Sequence, residues 1–175
     1  MNSIAFVVND SKYFISHRMG IGQRLLAQGH RVHVIAPGDC PEEIVRSGFI
    51  YHQVPMSRKG KNPFAELATV FDLYSLFKKL SPDIVHLVTI KPYLYGGVAA
   101  GLAGVPAVVS AVAGLGILFS QDSFKNIILR SVLYPLYRFA FGHPRQKVIF
   151  QNRDDKSLLQ RFAHLFGFAQ IAAII

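Results

Sequence analysis

Six short runs, most of them rich in valine and isoleucine, recur along this chain with helix-patterned stretches between them, and this alternation limits the possible folds more than any other feature. Ile4–Asn9, Val32–Ala36, Tyr51–Val54, Ile84–Val88, Ala107–Val112 and Lys147–Gln151 read as strands. Most are apolar nearly throughout, the pattern of strands buried on both faces. Helices are expected over Ser16–Gln28, Pro41–Ser47, Pro63–Leu80, Leu94–Ala103 and Ser123–Phe141, with Pro135 kinking or breaking the last, and another begins within Asp154–Phe162. Ser16 is placed to cap the first helix and Gly29 to end it. In Pro63–Leu80 the apolar positions Phe64, Leu67, Ala68, Phe71, Tyr74, Leu76 and Phe77 fall at helical spacing, which reads as an amphipathic helix. The predicted fold is α/β: a single doubly wound, mostly parallel sheet with helices on both faces. Such sheets bind ligands at the carboxyl ends of their strands, so the residues just after each strand carry the functional question.

Size and composition narrow the class further. The chain of 175 residues suits one domain and is too short for two full domains of this kind. A hydrophobic fraction of 51% against 17% charged residues excludes intrinsic disorder. The single cysteine, Cys40, excludes a disulfide scaffold and a cysteine-rich zinc site. His30 and His33 lie close together, but no third ligand has metal spacing, so no metal is expected. Nineteen Lys and Arg against ten Asp and Glu give a net charge of +9, which favours phosphate-bearing partners. The apolar run Ile4–Val8 is too short for a signal peptide and has no basic residue before it. Pro92 to Gln121 is 30 residues without a charge, but its six glycines and central Pro106 favour a small-residue helix, a turn and a buried strand over a membrane span.

Four post-strand segments offer candidate binding groups. After strand one, Asn9, His17 and Arg18 could face a ligand near a helix N-terminus, where backbone amides attract anions; the ordinary alternative is capping and a solvated arginine. Gly20 and Gly22 lack the third glycine and the position of a dinucleotide-binding turn. After strand three, Arg58, Lys59 and Lys61 surround Gly60 just before a helix, either a phosphate site or a solvated loop. After strand four, Lys91 is the only lysine or arginine between Lys79 and Lys125, and so a candidate phosphate contact. After strand five, Gly114 and Gly116 would let a ligand approach the backbone. His86 lies inside a strand and reads as a core residue. No nucleophile elbow, Walker loop or metalloprotease motif is present.

The stretch from Ser120 to Gly142 interleaves basic and aromatic side chains. Arg130, Tyr134 and Arg138 share one helical face, with Lys125 off that stripe. These four are candidates for contact with an anionic membrane surface; packing on the sheet is the alternative.

The segments Phe14-Ile15-Ser16-His17-Arg18, Gly29 to Pro37, Ser57 to Pro63, Pro82-Asp83-Ile84-Val85-His86 and Ala113-Gly114-Leu115-Gly116, in that order, resemble the N-terminal domain of GT-B-fold family 4 bacterial glycosyltransferases. The resemblance covers about residues 4 to 160 and is nearest to the branch acting on polyprenyl-diphosphate-linked sugars. It implies a Rossmann-like half of a GT-B fold over residues 1–165, followed by an atypical apolar tail at 166–175, with the C-terminal donor domain absent. A whole member has two such domains. The N-terminal one binds the acceptor and leans on the membrane. The other binds the nucleotide-sugar, a co-substrate rather than a resident cofactor. The reaction implied is retaining glycosyl transfer, in most members without an essential metal. By the resemblance, Arg58, Lys59 and Lys91 would contact the acceptor diphosphate, while His17 and Arg18 would line the cleft near the transferred sugar. The glycines that many relatives place in the first loop are missing. The chain alone is expected to be inactive, cytoplasmic, and peripheral on the inner face of the plasma membrane, completed by a donor domain in cis or in trans. The alternative is a non-enzymatic basic α/β domain that binds a phosphorylated ligand or RNA, although no nucleic-acid motif supports that partner.

Overall fold

The computed structural model describes residues 1–56, 62–112 and 135–157, together with the backbone of 171–174. Seven strands form one sheet: β1 (Ser3–Val8), β2 (Arg31–Ala36), β3 (Ile50–Gln53), β4 (Ile84–Val88), β5 (Ala107–Val112), β6 (Gln146–Phe150) and β7 (Ile171–Ile174). Their spatial order is β3-β2-β1-β4-β5-β6-β7. Every pairing is parallel. Six of the strands match the expected runs to within one residue at each end. The seventh lies in the tail and was not expected from the sequence, since Ile171–Ile174 carries no turn signal that separates a strand from any other apolar stretch.

The helices are α1 (Ser11–His17), α2 (Met19–Ala27), α3 (Glu42–Arg46), α4 (Pro63–Leu80), α5 (Gly97–Ala103), α6 (residues 135–140) and α7 (residues 153–157). Alternate side chains along the strands build two cores. Ala5, Val7, Ile35, Val85 and Leu87 face α4, α5 and α6, meeting Leu73, Phe77, Ala99, Ala100 and Ala140. Ile4, Phe6, Val8, Val32 and Val34 face the opposite way, meeting Phe14 of α1, Ile44 of α3 and Phe49.

Three expectations for the helices are corrected. The first helix is two. Asp10 caps α1 by accepting the Lys12 amide at 2.9 Å, so Ser16 is no cap and sits in the last turn. The chain breaks at Arg18 (φ −128°, ψ −15°), which becomes the N-cap of α2. Next, the expected helix Leu94–Ala103 is preceded by a π-helical turn, Pro92–Gly96, and α5 proper begins at Gly97. The third concerns α4. Thr69, Leu73 and Phe77 are its buried residues, whereas Phe64, Leu67 and Phe71 are 83%, 67% and 66% exposed. Asn62 caps this helix, accepting the Phe64 amide at 3.1 Å, and Pro63 occupies its first turn.

Helices α5 and α6 approach closely. A Cβ added at Gly97 would stand 2.5 Å from the carbonyl oxygen of Ala140. Arg58, Lys59, Gly114, Gly116, Lys125, Arg130 and Tyr134 lie outside the described residues, as does most of the expected basic and aromatic helix.

Candidate functional site

The strand order fixes where a ligand can enter. From β1 the chain winds outward through β2 and β3, then returns to β4 on the other side of β1. The loops after β1 and β4 therefore part in opposite directions and leave a crevice at their carboxyl ends. Asn9 and Asp10 follow β1, and Thr89, Ile90 and Lys91 follow β4, so this crevice gathers two of the predicted segments.

On the β1 side, Asn9 is half-buried and His17 is exposed. The His17 ring stacks on Tyr13 with centroids 4.3 Å apart, and its Nδ1 pairs with Ser16 Oγ at 2.6 Å. Arg18 donates from Nη1 to the His17 carbonyl at 3.0 Å. Its Nε is buried and has no hydrogen-bond partner among the described residues. Behind it, His86 of β4 packs edge-on against Phe6 at 5.1 Å, and its Nε2 is likewise buried and unpartnered. Burial, with the positive charge of Arg18 nearby, lowers the His86 pKa to about 4, so the ring is neutral at physiological pH.

On the β4 side the backbone itself is unusual. Thr89 adopts a φ of +76°, a conformation that costs a β-branched residue energy, and its Oγ1 is buried with no partner among the described residues. The π-helical turn Pro92–Gly96 follows at once. Rare backbone of both kinds concentrates at functional sites. Lys91 stands between them. It forms an ion pair with Glu66 of α4, with side chains only 15% and 18% exposed, and its Nζ lies 5.9 Å from the Tyr95 ring centroid. Burial and the hydrogen bond from its hydroxyl to Glu66 push the Tyr95 pKa up.

The sequence singled out Lys91 but not Glu66, Tyr95 or Thr89. One signal was present: Glu66 is the only carboxylate between Glu43 and Asp72. Nothing in the sequence signalled the left-handed Thr89. Arg138 is exposed and belongs elsewhere. With Phe139, His143 and Arg145 it lines a groove beside Gly104–Pro106, at the amino ends of β5 and β6. That places it across the sheet from Lys91, roughly 17 Å of strand away. A further pair, His33 and His52, lies under the β3 edge with Nδ1 and Nε2 2.9 Å apart. No helix among the described residues is long and apolar enough to cross a membrane.

This architecture defines the class of fold seen in GT-B glycosyltransferases. Sucrose-phosphate synthase from Thermosynechococcus elongatus superposes with a TM-score of 0.65 at 12% identity, over 100% of this chain and 48% of that one. At such identity the likeness shows the fold alone. Residues 3–152 match the family described as Glycosyl transferase 4-like, and the chain belongs to that family. It is 28% identical over 90% of its length to an N,N'-diacetylbacillosaminyl-diphospho-undecaprenol α-1,3-N-acetylgalactosaminyltransferase of Campylobacter jejuni, spanning 42% of that protein. It is 32% identical over 66% of its length to an Escherichia coli UDP-Gal:α-D-GlcNAc-diphosphoundecaprenol α-1,3-galactosyltransferase, spanning 28% of it. The chain thus spans less than half the length of these relatives.

Proposed function

We propose that this chain is the acceptor-side domain of a retaining glycosyltransferase that moves a sugar from a nucleotide-sugar to a polyprenyl-diphosphate-linked or polysaccharide acceptor at the inner face of the plasma membrane. A donor domain, in the same chain or another, completes the site. One observation carries the reading in a member of this family. A strained threonine, a π-helical turn and a lysine stand at the crevice where the winding of the sheet reverses. The family's relatives named above act on diphosphoundecaprenol-linked sugars, and a diphosphate needs cations.

In this reading Lys91, with Arg58 and Lys59, contacts the acceptor diphosphate. Its ion pair with Glu66 holds the ammonium in place at the crevice, and the diphosphate draws it forward. Asn9, His17 and Arg18 line the cleft near the transferred sugar, and the Gly114–Gly116 loop lies against donor or acceptor. In the transfer, the acceptor hydroxyl oxygen bonds the anomeric carbon and loses its proton. The bond from that carbon to the nucleotide's diphosphate breaks, and the nucleoside diphosphate leaves. No residue of this chain is assigned as the nucleophile or base. Substituting Lys91→Ala in the two-domain enzyme should raise the acceptor's apparent KM about tenfold or more, as loss of a charge-assisted contact does, with the donor's KM unchanged. An unchanged acceptor KM in a folded variant would remove Lys91 from the site.

A further inference from the structure

Helix α4 is apolar on two opposite sides. Its inner side places Thr69, Leu73 and Phe77 against the sheet. Its outer side begins with Phe64, Leu67, Ala68 and Phe71, spaced i, i+3, i+4 and i+7 and so aligned in one stripe. Phe64, Leu67 and Phe71 expose 83%, 67% and 66% of their surface. Further along, the same outer side turns polar at Ser75, Lys78 and Lys79, all exposed. The apolar stripe is thus confined to the first half of the helix. That half starts directly after the β3 crossover, at the carboxyl end of the sheet where Lys91 sits. Its single charge, Glu66, points inward to Lys91 and is nearly covered.

Surface aromatics in such a row are rare on a helix bathed in water, and they mark a surface that another phase or molecule covers. The charge around the stripe, positive apart from the exposed Asp72, selects the occupant. Lys78 and Lys79 lie at one end of it. At the other end the sequence places Arg58, Lys59 and Lys61 within five residues of Pro63, in a chain of net charge +9. An apolar stripe between cations complements an anionic bilayer, which offers acyl chains beneath a negative surface.

We infer that the first half of α4 is the membrane-contact face of this domain, with Phe64, Leu67 and Phe71 inserted at the headgroup level of an anionic bilayer. Arg138, the one described member of the other candidate set, lies at the opposite end of the sheet from this face. The inference deepens the membrane part of the proposed function and rests on it. It also explains why the Glu66–Lys91 pair lies on the inner side of the same helical turns. A diphosphate anchored in the bilayer would meet Lys91 close to the headgroups.

The absence of tryptophan from the chain makes the test clean. Three single-tryptophan variants of the whole chain are prepared: Phe64→Trp and Phe71→Trp on the stripe, and Phe139→Trp at an exposed aromatic away from it, 71% accessible. Each is titrated with phosphatidylglycerol-containing vesicles that hold no polyprenyl carrier, so membrane contact is read apart from acceptor recognition. The expected result is a blue-shifted emission, quenched by brominated acyl chains, at positions 64 and 71 but not at 139. A Leu67→Asp change should weaken vesicle partitioning about tenfold or more, because one buried leucine supplies that much. Emission at 64 and 71 that ignores vesicles, or quenching at 139 instead, overturns the inference. So does a blue shift that grows with protein concentration alone, which would mean that a second copy covers the stripe. Circular dichroism of each variant separates these outcomes from misfolding.

Discussion

At the residue scale the crevice is set by where charge is allowed. Lys91 could be picked out of the sequence because it interrupts a long uncharged stretch just past a valine-rich strand. Its partner could not. Glu66 lies 25 residues away on another helix, and only the packing of α4 against the π-helical turn brings the two together. His86 illustrates the same limit. Its strand position predicted burial, but not that the Arg18 guanidinium would lie close enough to help hold the ring neutral. That arrangement has a pH signature. His33 and His86 are both lowered to about 4, His33 by burial and by the neighbouring His52 and Arg31. In the unfolded chain a histidine takes up its proton near pH 6.5. Between pH 6.5 and about 4 the unfolded state therefore binds more protons than the folded one. The stability held in these neutral rings is complete above pH 6.5 and is lost as the pH falls toward 4. For the buried His86 ring a difference of that size corresponds to about 3 kcal/mol. Thermal unfolding of the His86→Leu variant followed between pH 7 and 4.5 should show a flatter pH dependence than the parent; an equal slope would contradict the neutral assignment.

At the scale of elements, periodicity located nearly every strand and helix but not how they join. Residues 16–28 carry one continuous helical pattern, and yet the helix breaks at Arg18. The Asp10 cap starts α1 five residues early, and a helix begun there must stop before α2 can lie along β2. The α4 pattern misled in another way. Phe64, Leu67 and Phe71 keep helical spacing, so a rule that sends apolar residues inward assigns them to the core. The core face is set instead by Leu73 and Phe77. The close contact of α5 with α6 was also hidden, since glycine in a helix reads only as low propensity. It makes a paired prediction. Gly97→Ala would drive a methyl to within 2.5 Å of the Ala140 carbonyl oxygen and should destabilise the domain by about 1–3 kcal/mol. Gly101→Ala, in the same helix with nothing within 4 Å, should stabilise it by up to about 1 kcal/mol. Chemical denaturation of the two variants checks this: equal effects would mean that α5 and α6 are not in backbone contact.

For the whole molecule, the parallel doubly wound sheet was legible because strands buried on both faces must be apolar throughout, and only helical crossovers connect them in parallel. That ligands enter at the carboxyl ends of the strands followed from that fold. The seventh strand and the spatial order did not, because pairing partners are chosen by three-dimensional packing. The net charge of +9 belongs to this scale too. It favours phosphate-bearing partners over acidic ones. In the proposed function this crevice takes the lipid-linked acceptor and leaves the nucleotide-sugar to another domain. The most direct test is a paired titration of the 175-residue chain, with vesicles carrying a polyprenyl-diphosphate sugar in one arm and UDP-N-acetylhexosamine in the other. The expected result is binding to carrier-loaded vesicles beyond that to carrier-free ones, weakened by Lys91→Ala, and no saturable binding of the nucleotide-sugar. Tight nucleotide-sugar binding with no preference for the carrier would contradict it.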